Sequence, residues 1–184
     1  MKKIVIMAVI IFVFQIGFSN GRFSPIGLSF SSEDGAQYPA RRNNVYGLRF
    51  GLVGGNNSMI GTSIMVFANV DDVAYGSVGG LQIASFFNIA QSGELGVWQI
   101  SGFHNSLEEE GNGLQVCGFY NLTKGYFNGV QIALYNEVNR EMAGIQIGLV
   151  NKVESLIGIQ IGLLNFVSSS MMDSFPIIRI GWGR

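Results

Sequence analysis

The chain has 184 residues, 48% of them hydrophobic, which suits one domain with a full core plus a targeting segment and argues against two large domains. Charged residues make up only 12%, about half of the ~25% usual in soluble domains. Lys and Arg are scattered, which excludes the clustered basic face of a nucleic-acid partner, and a single cysteine, Cys117, excludes an intrachain disulfide.

The first nineteen residues carry the layout of a secretory leader: Lys2 and Lys3, an apolar run from Ile4 to Phe14, then small residues at Gly17 and Ser19. Eleven unbroken apolar residues fall short of the ~20 a spanning helix needs, so cleavage after Ser19 is expected. Residues 20–44 read as an N-terminal strand and linker, and 45–184 as a repeat domain. Arg41, Arg42 and Arg49 are expected to keep a loop and a strand solvated. Degenerate copies of a repeat appear at Gly47–Gly51 and Gly61–Asn69; Asp71-Asp72 reads as a solvated loop or a weak calcium site, and the glycines at 76, 79 and 80 as a turn.

From Gly80 onward the unit Gly-apolar-Gln-apolar-Gly-apolar-apolar-Asn becomes plain, as in Gly144-Ile145-Gln146-Ile147-Gly148-Leu149-Val150-Asn151. Glutamine recurs at Gln82, Gln99, Gln115, Gln131, Gln146 and Gln160, and asparagine at Asn88, Asn105, Asn121, Asn136, Asn151 and Asn165, with Gln-to-Gln steps that shrink from 17 to 14 residues. The first three copies hold one extra residue between Gln and Asn, which predicts a β-bulge or a widened corner there. Within the long copies His104 falls in register with Phe87 and Tyr120 beside a Phe86, Phe103, Phe119 row, and between two copies lies the acidic run Glu108–Glu110, a solvated loop or a weak calcium site. Cys117 reads as a small buried hydrophobe. The tail, Phe175 to Trp182, reads as a closing strand of different character.

Within a unit, Val130, Ile132 and Leu134 alternate with Gln131, Ala133 and Tyr135, a period of two that predicts strands and no helix. The Val/Ile/Leu side is expected to form the core, with Ile147 buried, and the Gln side to face outward. The expected fold is an all-β parallel solenoid of 14–17 residues per coil, with Asn at one corner bonding backbone groups from coil to coil. The alternative is an antiparallel up-and-down barrel in the outer membrane, acting as a pore or anchor. The uniform Gly-to-Asn direction of every copy favours the solenoid.

These units resemble an uncharacterised family of bacterial surface-repeat proteins that carry tandem Gly-apolar-Gln-apolar-Gly-apolar-apolar-Asn blocks after an export signal. The resemblance covers roughly residues 45 to 182 and implies placement in the cell envelope, at the surface or in the periplasm, with no catalytic residues to carry over. One histidine excludes a two-histidine metal site, and the Gly-x-Ser-x-Gly and phosphate-loop patterns are absent, so no catalytic, cofactor or metal residues are expected. The expected role is structural or adhesive, toward a protein or glycan at the cell surface or in association with the outer membrane. The six glutamines would serve as that contact face or as side-chain ladders along the stack.

Overall fold

The computed structural model describes residues 23–31, 37–40, 43–71, 78–170 and 174–183. The leader through Ser19, and with it Arg41, Arg42 and Asp72, lies outside the described residues. The strands are β1 (Phe23–Ser29), β2 (Gln37–Tyr38), β3 (Asn44–Gly54), β4 (Met59–Val70), β5 (Val78–Ala84), β6 (Phe87–Ala90) and β7 (Gly93–Ser101). They continue as β8 (His104–Leu107), β9 (Gly111–Cys117), β10 (Tyr120–Thr123), β11 (Phe127–Ile132), β12 (Tyr135–Ile147), β13 (Val150–Val167) and β14 (Ser174–Trp182).

The chain winds as a parallel β-solenoid of about seven turns. Each coil contributes one strand to a glutamine sheet and one to an asparagine sheet. In the first, Gln131 pairs with both Gln115 and Gln146, and Gln146 with Gln160. In the second, Asn121 pairs with both Asn105 and Asn136. Parallel ladders in this register rule out the up-and-down barrel, which would join every neighbour antiparallel. Among the described pairings only β1–β2 and β13–β14 are antiparallel, one at each end of the stack. The β14 strand lies on β13 with Arg179 opposite Gln160, so the tail covers the last coil edge. At the other end β1 joins β3 in parallel, so that among the described residues the stack reaches back to Phe23, well before the repeat is readable in the sequence.

A column of glycines, interrupted only by Val97 between Gly80 and Gly113, makes this stacking possible. Gly129 sits at φ 146°, and a Cβ there would lie 1.9 Å from the Gly113 carbonyl oxygen of the coil before. Gly80, expected in a turn, belongs to this column: it lies within β5, opposite Gly61, at φ 98°.

The inward side of the strands is the reverse of the expected one. Gln131 is 0% exposed, whereas Ile132, Leu134 and Ile147 stand outside at 37%, 45% and 38%. Period-two alternation distinguishes two faces of a strand without saying which is inside, and burial of apolar side chains is a rule with exceptions wherever polar groups find full partners. The apolar core occupies only the other part of each coil, where Phe127, Val138, Met142, Val153 and Leu156 pack together beneath the return segment. An aspartate at Ile147 therefore meets solvent and buries no charge.

The longer copies keep Gln and Asn inside by widening the corner. Gln115, Cys117 and Asn121 are buried, and Gly118 and Phe119 both project outward between them. In the shorter copy Gln131, Ala133 and Asn136 are buried, with Leu134 exposed in the same bend. Ser85, Gly102 and Gly118 are the extra residues, all small and all exposed.

Candidate functional site

Two hydrogen-bonded ladders run through the interior. Gln160 Nε2 donates to Gln146 Oε1 at 2.7 Å, Gln146 to Gln131 at 2.8 Å, and Gln131 to Gln115 at 2.6 Å. Gln115 then donates to Gln99 at 2.8 Å, Gln99 to Gln82 at 2.9 Å, and Gln82 to Asp71 Oδ2 at 2.5 Å. Each of these glutamines is at most 1% exposed, so no partner atom reaches it without opening the coil.

The asparagine ladder runs the other way. Asn69 Nδ2 donates to Asn88 Oδ1 at 2.8 Å, Asn88 to Asn105 at 2.9 Å, and so on to Asn151 and Asn165 at 2.8 Å. The same amides also donate to corner carbonyls of the following coil: Asn88 to Ile100 O at 3.0 Å, Asn121 to Ile132 O at 3.1 Å, Asn151 to Ile161 O at 3.0 Å. Asparagine thus fills the corner role its position in the repeat suggests.

Arg49 and Asp71 close both ladders at the N-terminal end. Both are 1% exposed, against the expectation of a solvated strand and a solvated loop. The guanidinium forks onto the carboxylate, with Nη2 2.9 Å from Oδ2, and also donates to Asn69 Oδ1 at 2.9 Å, Asn56 Oδ1 at 3.1 Å and Ser63 Oγ at 2.9 Å. Asp71 accepts the terminal glutamine donor, and Arg49 feeds the terminal asparagine acceptor. Sequence reading missed this pair because the partners lie 22 residues apart in the least regular coils.

On the outer side of the asparagine sheet an aromatic strip follows the corner. Phe103 and Phe119 stack at 5.1 Å with planes 2° apart, and His104 stacks on Tyr120 at 5.1 Å. His104 pairs with Phe87 and Tyr120 in the ladders, in the register the repeat spacing predicts. Its Nδ1 lies 2.8 Å from the Tyr120 carbonyl, so that nitrogen carries the proton and donates. The strip borders an open groove of about 670 Å3 whose polar end is Glu137, which accepts from Tyr120 Oη at 2.7 Å and from Lys152 Nζ at 2.9 Å. Burial, then the Glu137 carboxylate, pushes the Tyr120 phenol far above its usual range.

Burial lowers the His104 pKa from 6.5, only partly offset by its bond to Tyr120 and the nearby Glu108. A depressed folded pKa means the unfolded chain binds the extra proton first. Stability from this site is therefore complete above about pH 6.5 and is lost as pH falls through the lower folded value. Urea midpoints between pH 7 and pH 5 should drop for the native chain and stay flatter for His104→Phe; parallel curves would remove His104 as the cause.

Glu108 pairs with Lys124, and Glu109 accepts from Gln91 at 2.6 Å, so two members of the acidic run bond to neighbouring coils. Among the described residues no three acidic, His or Cys side chains gather as metal ligands. Cys117 is buried, and desolvation raises its thiol pKa.

The outer side of the glutamine sheet carries two apolar rows that run from end to end, broken only at Thr62. One row runs from Ile26 through Leu48, Thr62, Leu81, Trp98, Leu114, Val130, Ile145 and Ile159 to Ile180. A second row lies two residues away on the same side, from Leu28 and Phe50 through Ile100 and Ile132 to Ile161 and Ile178. Fold and surface together define a β-solenoid with a polar laddered interior and an apolar outer face. No family model, curated protein or solved structure matches the chain.

Proposed function

We propose that the chain is a non-enzymatic repeat module exported to the bacterial envelope, structural or adhesive in role, that works through its outer apolar face. The observation that carries this reading is the exposure of that face: Trp98 at 57%, Leu48 at 47% and Ile180 at 55% stand in rows unbroken except by Thr62. Exposed apolar patches on a typical monomer reach only about 300–600 Å2, and larger ones mark interaction surfaces. The leader-like first nineteen residues and the resemblance of the repeats to bacterial surface proteins support export. The glutamine series serves the interior, so the contact face is assigned to the opposite side of the same strands.

Fractionation of producing cells with intact-mass measurement tests the placement. The expected product is an envelope protein beginning at Asn20; a cytosolic chain still beginning at Met1 overturns it.

A further inference from the structure

We propose that this face, together with the corner that joins it to the asparagine sheet, lies in the acyl layer of a lipid bilayer, an assignment that rests on the envelope reading above.

Three observations converge on lipid. The first is extent. Ten strands at about 4.8 Å make a surface some 45 Å long, and two residue rows plus the corner make it roughly 15–20 Å wide. That is a patch of about 700–900 Å2, more than a monomer keeps in water.

The second is curvature. The apolar surface does not end at the sheet edge but turns the corner through Phe119, Leu134, Leu149, Leu163 and Leu164, which are 45–65% exposed. A second copy laid face to face on the flat sheet would leave that corner in water. A fluid acyl layer covers both.

The third is the backbone. Contact with hydrocarbon is tolerated only where polar main-chain groups are already paired. At this corner Gly118 N–H reaches Gly102 O at 3.2 Å, Leu149 N–H reaches Leu134 O at 2.9 Å, and Leu164 N–H reaches Leu149 O at 3.0 Å. The carbonyls that a bend would otherwise turn to water, from Ile83 to Ile161, take the asparagine amides. The asparagine ladder thereby makes one edge of the solenoid dry. Glu108–Glu110, Lys124, Arg140, Glu141 and Glu154 all lie on the return segments at the opposite edge. Among the described residues the two outer rows and the corner carry no Lys or Arg, and Lys152, beyond the corner on the asparagine sheet, is paired with Glu137. Attraction to anionic headgroups therefore does not drive contact at this face, and the partner surface is electrically neutral lipid.

Trp98 and Trp182, 57% and 88% exposed on this face, are built-in reporters. The mature full chain should float with phosphatidylcholine vesicles equally at low and high salt. Its tryptophan emission should be quenched by lipids brominated in mid-chain. Leu149→Asp combined with Leu164→Asp, both in exposed bends, should lower vesicle binding at least tenfold while the urea midpoint stays close to the native one. Ile147→Asp should act in the same direction from the sheet. Binding without bromine quenching overturns the assignment of this face. Failure to float, with a dimeric mass in solution, overturns lipid as the occupant in favour of a second copy and leaves the interaction-surface reading standing. Failure to float by a monomeric, freely soluble chain overturns both.

Discussion

Arg49→Ala is expected to lower folding stability by about 3–5 kcal/mol, read from urea denaturation, because it strands a buried carboxylate and a ladder terminus at once. Arg49 is the hub of the N-terminal end, holding Asp71, Asn69, Asn56 and Ser63 within a site that is 1% exposed. A buried ion pair standing alone can often be replaced by two apolar residues at little cost. Here the paired replacement Arg49→Met with Asp71→Leu should not restore stability, since Gln82 Nε2 would lose its carboxylate and Asn69 Oδ1 its guanidinium donor. Recovery of the native midpoint by the double variant would show that the pair acts only on itself.

This pair also explains the direction of both ladders. A primary amide can point either way along a stack, but a carboxylate only accepts and a guanidinium only donates. Asp71 therefore requires the glutamine donors to point toward the N-terminus. Arg49 requires the asparagine oxygens to point there, and each amide in turn orients the next. The polarity of a single ion pair is transmitted through all the coils. Ser63 Oγ, 2.5 Å from Asn69 Oδ1, adds a second donor at the same terminus.

Much of the architecture was legible because repetition constrains register. Once Gln131, Gln146 and Gln160 occupy equal places in equal units, a parallel stack puts them side by side, and His104 falls beside Tyr120 by the same count. Inside and outside were not legible from alternation alone. A signal was present nonetheless: the glutamine and asparagine places hold one residue type in every regular copy. The apolar places beside them vary, with Trp98, Leu114, Val130 and Ile145 at equivalent positions. A position that needs one particular hydrogen-bonding partner tolerates no substitute, whereas a position that needs only to be apolar does. The first coils stayed obscure because Arg49 and Ser63 stand where later coils carry glutamine, an interruption that is the ladder's terminus.

Gln131→Leu should cost roughly 2–5 kcal/mol, although leucine has a similar size and greater hydrophobicity. In the native chain Gln131 accepts from Gln146 at 2.8 Å and donates to Gln115 at 2.6 Å. Leucine leaves the Gln146 amide without its acceptor and the Gln115 oxygen with only the Thr123 hydroxyl at 3.3 Å, each in a site 0% exposed. Gln131→Glu separates hydrogen bonding from shape, since it keeps the volume and changes one donor into an acceptor. Its ionised carboxylate would meet the Gln115 oxygen, so the variant should be strongly destabilised at pH 7. Protonation supplies the missing O–H donor, and burial raises the folded pKa above the ~4.3 of an unfolded Glu. With the folded value raised, the stabilising contribution is complete below about pH 4.3 and is lost as pH rises through the folded pKa. The urea midpoint of Gln131→Glu, relative to the native chain at each pH, should therefore climb as the solution is acidified from pH 7 toward pH 4. A deficit that stays the same at both ends of that range would mean that packing, and not the amide ladder, holds the coils together.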